Sequence, residues 1–108
     1  MYFHDPSTRQ TKELAPGIEA RTFWGENMLV SVVEIEPDTA LPEHRHPHEQ
    51  VGTVLAGTLE FTIGGQTQNL GPGDVFIVPG EATHSATSGP DGARVMDVFS
   101  PVREDLKY

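Results

Sequence analysis

Three of the five histidines stand within His44-Arg45-His46-Pro47-His48. On extended backbone, residues two apart project to the same face, so His44 and His46 can converge on one point. Neutral imidazoles so placed bind a divalent ion. Gln50 follows across a turn containing Pro47, and its amide oxygen is a candidate third ligand. His84 is remote in sequence, as a ligand delivered by closure of a sheet would be. The chain has no cysteine, so any metal is held by nitrogen and oxygen, and disulfides, iron–sulfur clusters and thiolate chemistry are excluded. A glutamine ligand leaves the ion's double positive charge undiminished, which makes a stronger Lewis acid than a glutamate ligand would. Three imidazoles and an amide do not select the metal: nickel, zinc, manganese, iron and copper all fit. His4 and His48 read as solvated side chains, and Glu43, Glu49 and Glu60 as surface carboxylates.

A second chemical signal lies near the C-terminus. In Val95-Met96-Asp97-Val98-Phe99, alternate residues share a face, so Asp97 falls in line with Val95 and Phe99. A carboxylate among apolar neighbours is costly to bury unless it is paired or used. Arg94 and Arg103 are candidate partners, although Arg103 could equally pair with Glu104 or Asp105.

The elements that must position these groups read as strands. Ile18 to Trp24 and Met28 to Ile35 are rich in β-branched and aromatic residues. Val51 to Leu55 is apolar, and Leu59, Phe61 and Ile63 alternate with polar residues. Gly64-Gly65 is a two-residue hairpin signal before Gln66 to Leu70. Gly71-Pro72-Gly73-Asp74 has the composition of a type II turn, followed by a strand over Asp74 to Pro79 and another over Ala93 to Ser100. No stretch keeps a helical period for three turns. Many short strands joined by turns predict an all-β sandwich or barrel. Trp24 reads as a core or interface residue.

At 108 residues the chain has room for one domain. We expect an N-terminal arm or dimer-contact strand over 1–15, a barrel over 16–100 and a C-terminal tail over 101–108. The formal net charge of −9, with no cluster of lysine or arginine, argues against nucleic acid as a partner. An anionic small molecule would then need local positive charge, from a metal or a specific arginine. MYFHDPSTRQ has no basic stretch followed by an apolar one, and no apolar run reaches membrane-spanning length. The expected location is therefore the cytoplasm, with no membrane partner.

These residues resemble the cupin family. His44, His46, Gln50 and Gly57 fall on the spacing of its first motif, with glutamine where glutamate is usual. Gly73, Pro79 and His84 fit its second motif, with Glu81 where a glycine is usual and Ser88 in place of asparagine. The resemblance implies a double-stranded β-helix, the RmlC-like jelly roll, with His44, His46, Gln50 and His84 as metal ligands. The tail from Met96 to Leu106 is similar to the KdgF type of small cupin, which acts on 4,5-unsaturated monouronates in pectin and alginate breakdown. That similarity implies Asp97 as acid/base, Arg103 as a catalytic and substrate-contacting arginine, and Phe99 as an aromatic beside the sugar. Two other functions are carried alongside this isomerase: a quercetinase-like metal dioxygenase, and a non-catalytic module binding a sugar or small acid. A homodimer is expected, because a short open barrel leaves sheet edges and apolar faces to cover.

Overall fold

The computed structural model describes residues 2–108. Its strands are β1 (Lys12–Ala15), β2 (Ile18–Trp24), β3 (Leu29–Ile35), β4 (Ala40–His44), β5 (Glu49–Ile63), β6 (Gln66–Leu70), β7 (Val75–Val78) and β8 (His84–Ser100). They form an all-β jelly roll in which every pairing is antiparallel. The sheet order is β1-β2-β3-β8-β5-β6, with β4 also on β8 and β7 also on β5. Short 3₁₀ turns lie at Pro6–Thr8 and Glu104–Leu106.

The architecture rests on one ribbon, β5 paired with β8 from Ile63↔His84 at one end to Glu49↔Ser100 at the other. Both strands are longer than the sequence suggests. The apolar runs at Val51 and Leu59 belong to a single strand, because register shifts between Val54 and Leu59 carry the chain through the break in alternation. Gly57 sits there at φ 73°, and a Cβ on it would collide with the carbonyl of Gly92, itself at φ 74°. These two positions need glycine for both backbone conformation and close approach. On either side of the bend the ribbon has different neighbours. The Glu49–Gly57 arm lies beside β7 and the Ala93–Ser100 arm beside β3. The other arms lie beside β6 and β4.

Other expectations hold or shift for identifiable reasons. Gly73 has φ 90° and the Asp74 N–H donates to Gly71 O at 3.0 Å, as a type II turn requires. Gly64 and Gly65 both have positive φ, as in a tight hairpin turn. β1 falls at the end of the segment read as an arm, and β4 was hidden by Pro42.

Inward residues alternate along β2, β3, β5 and β8. The largest apolar cluster gathers Val54, Leu59, Phe61, Phe76, Val78 and Val95. A smaller one joins Leu29 and Phe99 to Leu106 of the tail. Burying a leucine stabilises by about 1.5–3 kcal/mol, which helps to hold the tail against the barrel. Thr22 Oγ1 adds a hydrogen bond of 2.7 Å to Leu106 O. The register places Thr22, Ser31, Asp97, Gly52 and Phe76 side by side across five strands.

Candidate metal centre and acid site

His44 at the end of β4, His46 in the following loop and His84 at the start of β8 bring their ligand atoms within 4.8 Å of one another. Each ring is fixed by its own chain. His44 Nδ1 lies 2.9 Å from Pro42 O, His46 Nδ1 3.0 Å from His48 O and His84 Nδ1 3.0 Å from Ala82 O. A carbonyl only accepts, so each Nδ1 carries the proton and each Nε2 presents a lone pair. Burial lowers the pKa of His46, and pushes that of His84 down to about 4, so both are neutral near pH 7.

Gln50, on β5, closes the group. Its Nε2 donates to Asp97 Oδ1 at 3.0 Å, which turns its Oε1 toward His46 Nε2 at 3.2 Å. Two acceptors therefore face each other. His84 Nε2 is buried with no partner among the described residues. Lone pairs converging in a buried space are unfavourable unless a cation lies between them. The donor set suits a divalent transition metal, with His44, His46 and His84 able to hold it.

A cavity of about 430 Å³ opens beside this cluster, lined by His44, Gln50, His84, Asp97, Phe99 and Arg103 among others. Asp97 is 8% exposed, and burial pushes its pKa up to about 6, against the lowering effects of the Gln50 hydrogen bond and the Arg103 charge. Arg103 lies over the Phe99 ring at 4.9 Å and is gripped by Asp105, with Nη2–Oδ2 at 2.7 Å and Nε–Oδ1 at 3.3 Å. Although burial works to raise it, Arg103 holds the Asp105 carboxyl below the usual range. Arg103 takes Asp105, one of the pairings open in the sequence, whereas Arg94 takes Glu34 at 2.6 Å, which was not among them. Neither forms an ion pair with Asp97. Gly52 faces Asp97 across the ladder, and a Cβ there would stand 2.5 Å from Asp97 Oδ1 and collide with the Phe76 ring. The missing side chain is what makes room for the carboxylate.

Several readings of single residues change. His48 is half-buried rather than solvated, with a buried Nδ1, because its carbonyl is drawn in to hold His46. Trp24 is 40% exposed, with Arg9 and Lys107 against its ring, so it is not core. Glu81 adopts φ 69°, the conformation for which the family motif keeps glycine, and its N–H donates to His46 O at 2.8 Å. Ser88, standing for asparagine, donates to Glu36 O at 2.6 Å and accepts from Thr39 N at 2.9 Å. Asp105, read only as a possible partner of Arg103, also lines the site, as do Ser31 and Gly52, which went unnoticed in the sequence. Only the strand register could have found those two.

The fold and the histidine cluster together define a cupin, and comparison with known proteins agrees. Residues 31–99 match the cupin domain family, and the chain belongs to that family. It is 30% identical to the pectin degradation protein KdgF of Dickeya dadantii over 107 residues, which is 97% of this chain and 96% of that protein. The structure of KdgF from Halomonas sp. superposes with a TM-score of 0.92 at 27% identity, covering 99% of both chains. The dimethylsulfoniopropionate lyase DddW of Ruegeria pomeroyi is 31% identical over 83 residues, covering 76% of this chain and 55% of the lyase. No helix among the described residues is long and apolar enough to cross a membrane.

Proposed function

We propose that this protein is a metal-dependent enzyme that converts 4,5-unsaturated monouronates into linear 4-deoxy keto-uronates. The observation that carries this reading is Asp97: a buried carboxyl on the cavity wall, held by Gln50 and followed along its strand by Phe99. Likeness to two KdgF proteins along nearly the whole chain supports the substrate class. His44, His46, His84 and Gln50 would hold the metal, which when bound supplies positive charge to polarise substrate oxygens.

The reaction opens a cyclic hemiacetal and turns an enol into a ketone, and it needs proton transfers without redox change. A carboxyl with its pKa raised to about 6 can both take up and return a proton near neutrality. Arg103 commits Nε and Nη2 to Asp105 and retains its other N–H groups for the substrate carboxylate, with its plane supported on Phe99. This gives an anion a local cation inside an acidic protein.

The test is proton NMR of unsaturated galacturonate with purified protein. Wild type should accelerate appearance of the linear keto form, and Asp97→Asn should slow it by about 10²–10⁴-fold, the range for a lost acid/base. Unchanged substrate beside metal-loaded protein would overturn the reading. A second reading draws on the apolar walls, which include Val33, Phe61, Phe76 and Val95. These suit a dioxygenase of the quercetinase-like kind, and oxygen uptake with flavonols would reveal it. A homodimer in the cytoplasm completes the proposal. Exposed Val51, Val75 and Ile77 on the outer face of β5 and β7, and Tyr2 and Phe3 near the N-terminus, are surfaces a second copy would cover, as sedimentation would show.

A further inference from the structure

β3 presents Leu29, Ser31 and Val33 to the interior. Ser31 is the exception in that row. It is 1% exposed, it lines the cavity, and its Oγ has no hydrogen-bond partner among the described residues. Buried hydroxyls are nearly always satisfied, so an orphan on a cavity wall calls for a partner from the cavity.

Its neighbours on the ladder are already engaged. Thr22, opposite on β2, has committed its hydroxyl proton to Leu106 O. Asp97, opposite on β8, has one oxygen taken by Gln50 Nε2. Ser31 and Asp97 are direct cross-strand partners, so their side chains leave the same face of the sheet a few ångströms apart. A ligand held at Asp97 must therefore lie beside the Ser31 hydroxyl. The flanking inward positions of β3 are a leucine and a valine, so Ser31 is the polar member of that row.

We propose that Ser31 is a substrate-binding residue whose hydroxyl pairs with a ring hydroxyl of the sugar acid, next to the position on which Asp97 acts. This rests on the uronate reading above and assigns a specificity element to the same site. A serine hydroxyl can donate and accept, so it suits a secondary alcohol, whose chemistry is the same. A site built around such a pair discriminates strongly against ligands that leave one member unpaired.

The experiment compares wild type, Ser31→Ala and Ser31→Thr, with Asp97→Asn alongside, on unsaturated galacturonate and its 2-deoxy and 3-deoxy analogues. Ser31→Ala should keep its metal and its thermal midpoint, because deleting an unsatisfied buried hydroxyl removes no protein bond. Its kcat/KM on the full substrate should fall by roughly tenfold, the size of one hydrogen bond. Ser31→Thr should recover much of that loss. On one of the two deoxy analogues, wild type and Ser31→Ala should perform alike, since the partner hydroxyl is already gone. If Ser31→Ala turns over the full substrate within twofold of wild type while Asp97→Asn is inactive, the Ser31 assignment is wrong and the uronate reading stands. Equal losses on all three substrates would assign Ser31 to bracing Asp97 and also overturn direct contact. If wild type converts none of them, the uronate reading falls and takes this assignment with it.

Discussion

The two ends of the cavity are built by different means. At the histidine end each imidazole is anchored to a carbonyl two residues away: Pro42 for His44, His48 for His46 and Ala82 for His84. At the acid end Arg103 has a local partner in Asp105, but the Asp97 carboxylate has none. Asp97 is held by Gln50, forty-seven residues distant, lies opposite Ser31, and has its space kept open by Gly52. One end is preorganised by short chain segments, the other by the register of the whole sheet. Gln50 touches both, with Oε1 toward His46 and Nε2 on Asp97. A local change in the row through Asp97 should therefore disturb the acid end more than the histidine end.

That contrast can be broken at either end. The largest effect is expected from His84→Ala, which removes a buried candidate ligand: if His84 holds the metal as proposed, metal content should drop from about one per chain to near zero, with affinity lowered by about a hundredfold or more. Metal analysis after gel filtration checks this, and far-ultraviolet circular dichroism should still report a folded barrel. Gly52→Ala acts on the other end. It should displace the Asp97 carboxylate and lower kcat by about a hundredfold, while metal stays bound. Overpacking should also cost about 1–3 kcal/mol of stability in denaturant titration. Loss of metal from this variant would show that the two ends are not separately built. The smallest effect sharpens the local side. Glu81→Gly relieves a left-handed backbone at the turn that binds His46 O, at some cost in unfolded-chain entropy. It should raise stability by about 0.5–1 kcal/mol with activity unchanged. A fall in melting temperature would mean that the glutamate side chain itself supports the turn.

The same division explains what could be read from the chain beforehand. His44 and His46 announce themselves because their partnership is a spacing, and the Gly-Pro-Gly-Asp turn because its composition is its geometry. Ser31 and Gly52 carry no such mark. Their roles arise from a row that takes residues 22, 31, 97, 52 and 76 in that spatial order, which no local pattern encodes. The extent of β8 was obscured for a related reason. Gly89-Pro90-Asp91-Gly92 has the composition of a turn, yet here it is the outer side of a bend through which the strand continues. Asp97 lay between these cases: its position among apolar residues flagged it, but its partner was Gln50 and neither arginine.

The bend at Gly57 and Gly92 also governs how the site comes into being. In the ribbon, Gln50 pairs near one tip and His84 stands at the other, yet both meet at His46 because the ribbon curls over on itself. The pairing joins residues far apart in the chain, a topology that folds on the slower millisecond-to-second scale. No ligand cluster exists until that curl is complete. A metal gripping both tips would therefore act as a clasp on an already folded ribbon. Its effect should appear mainly as slower unfolding, with melting temperature tracking free metal concentration and a gain of about 2.7 kcal/mol at a hundred times the dissociation constant.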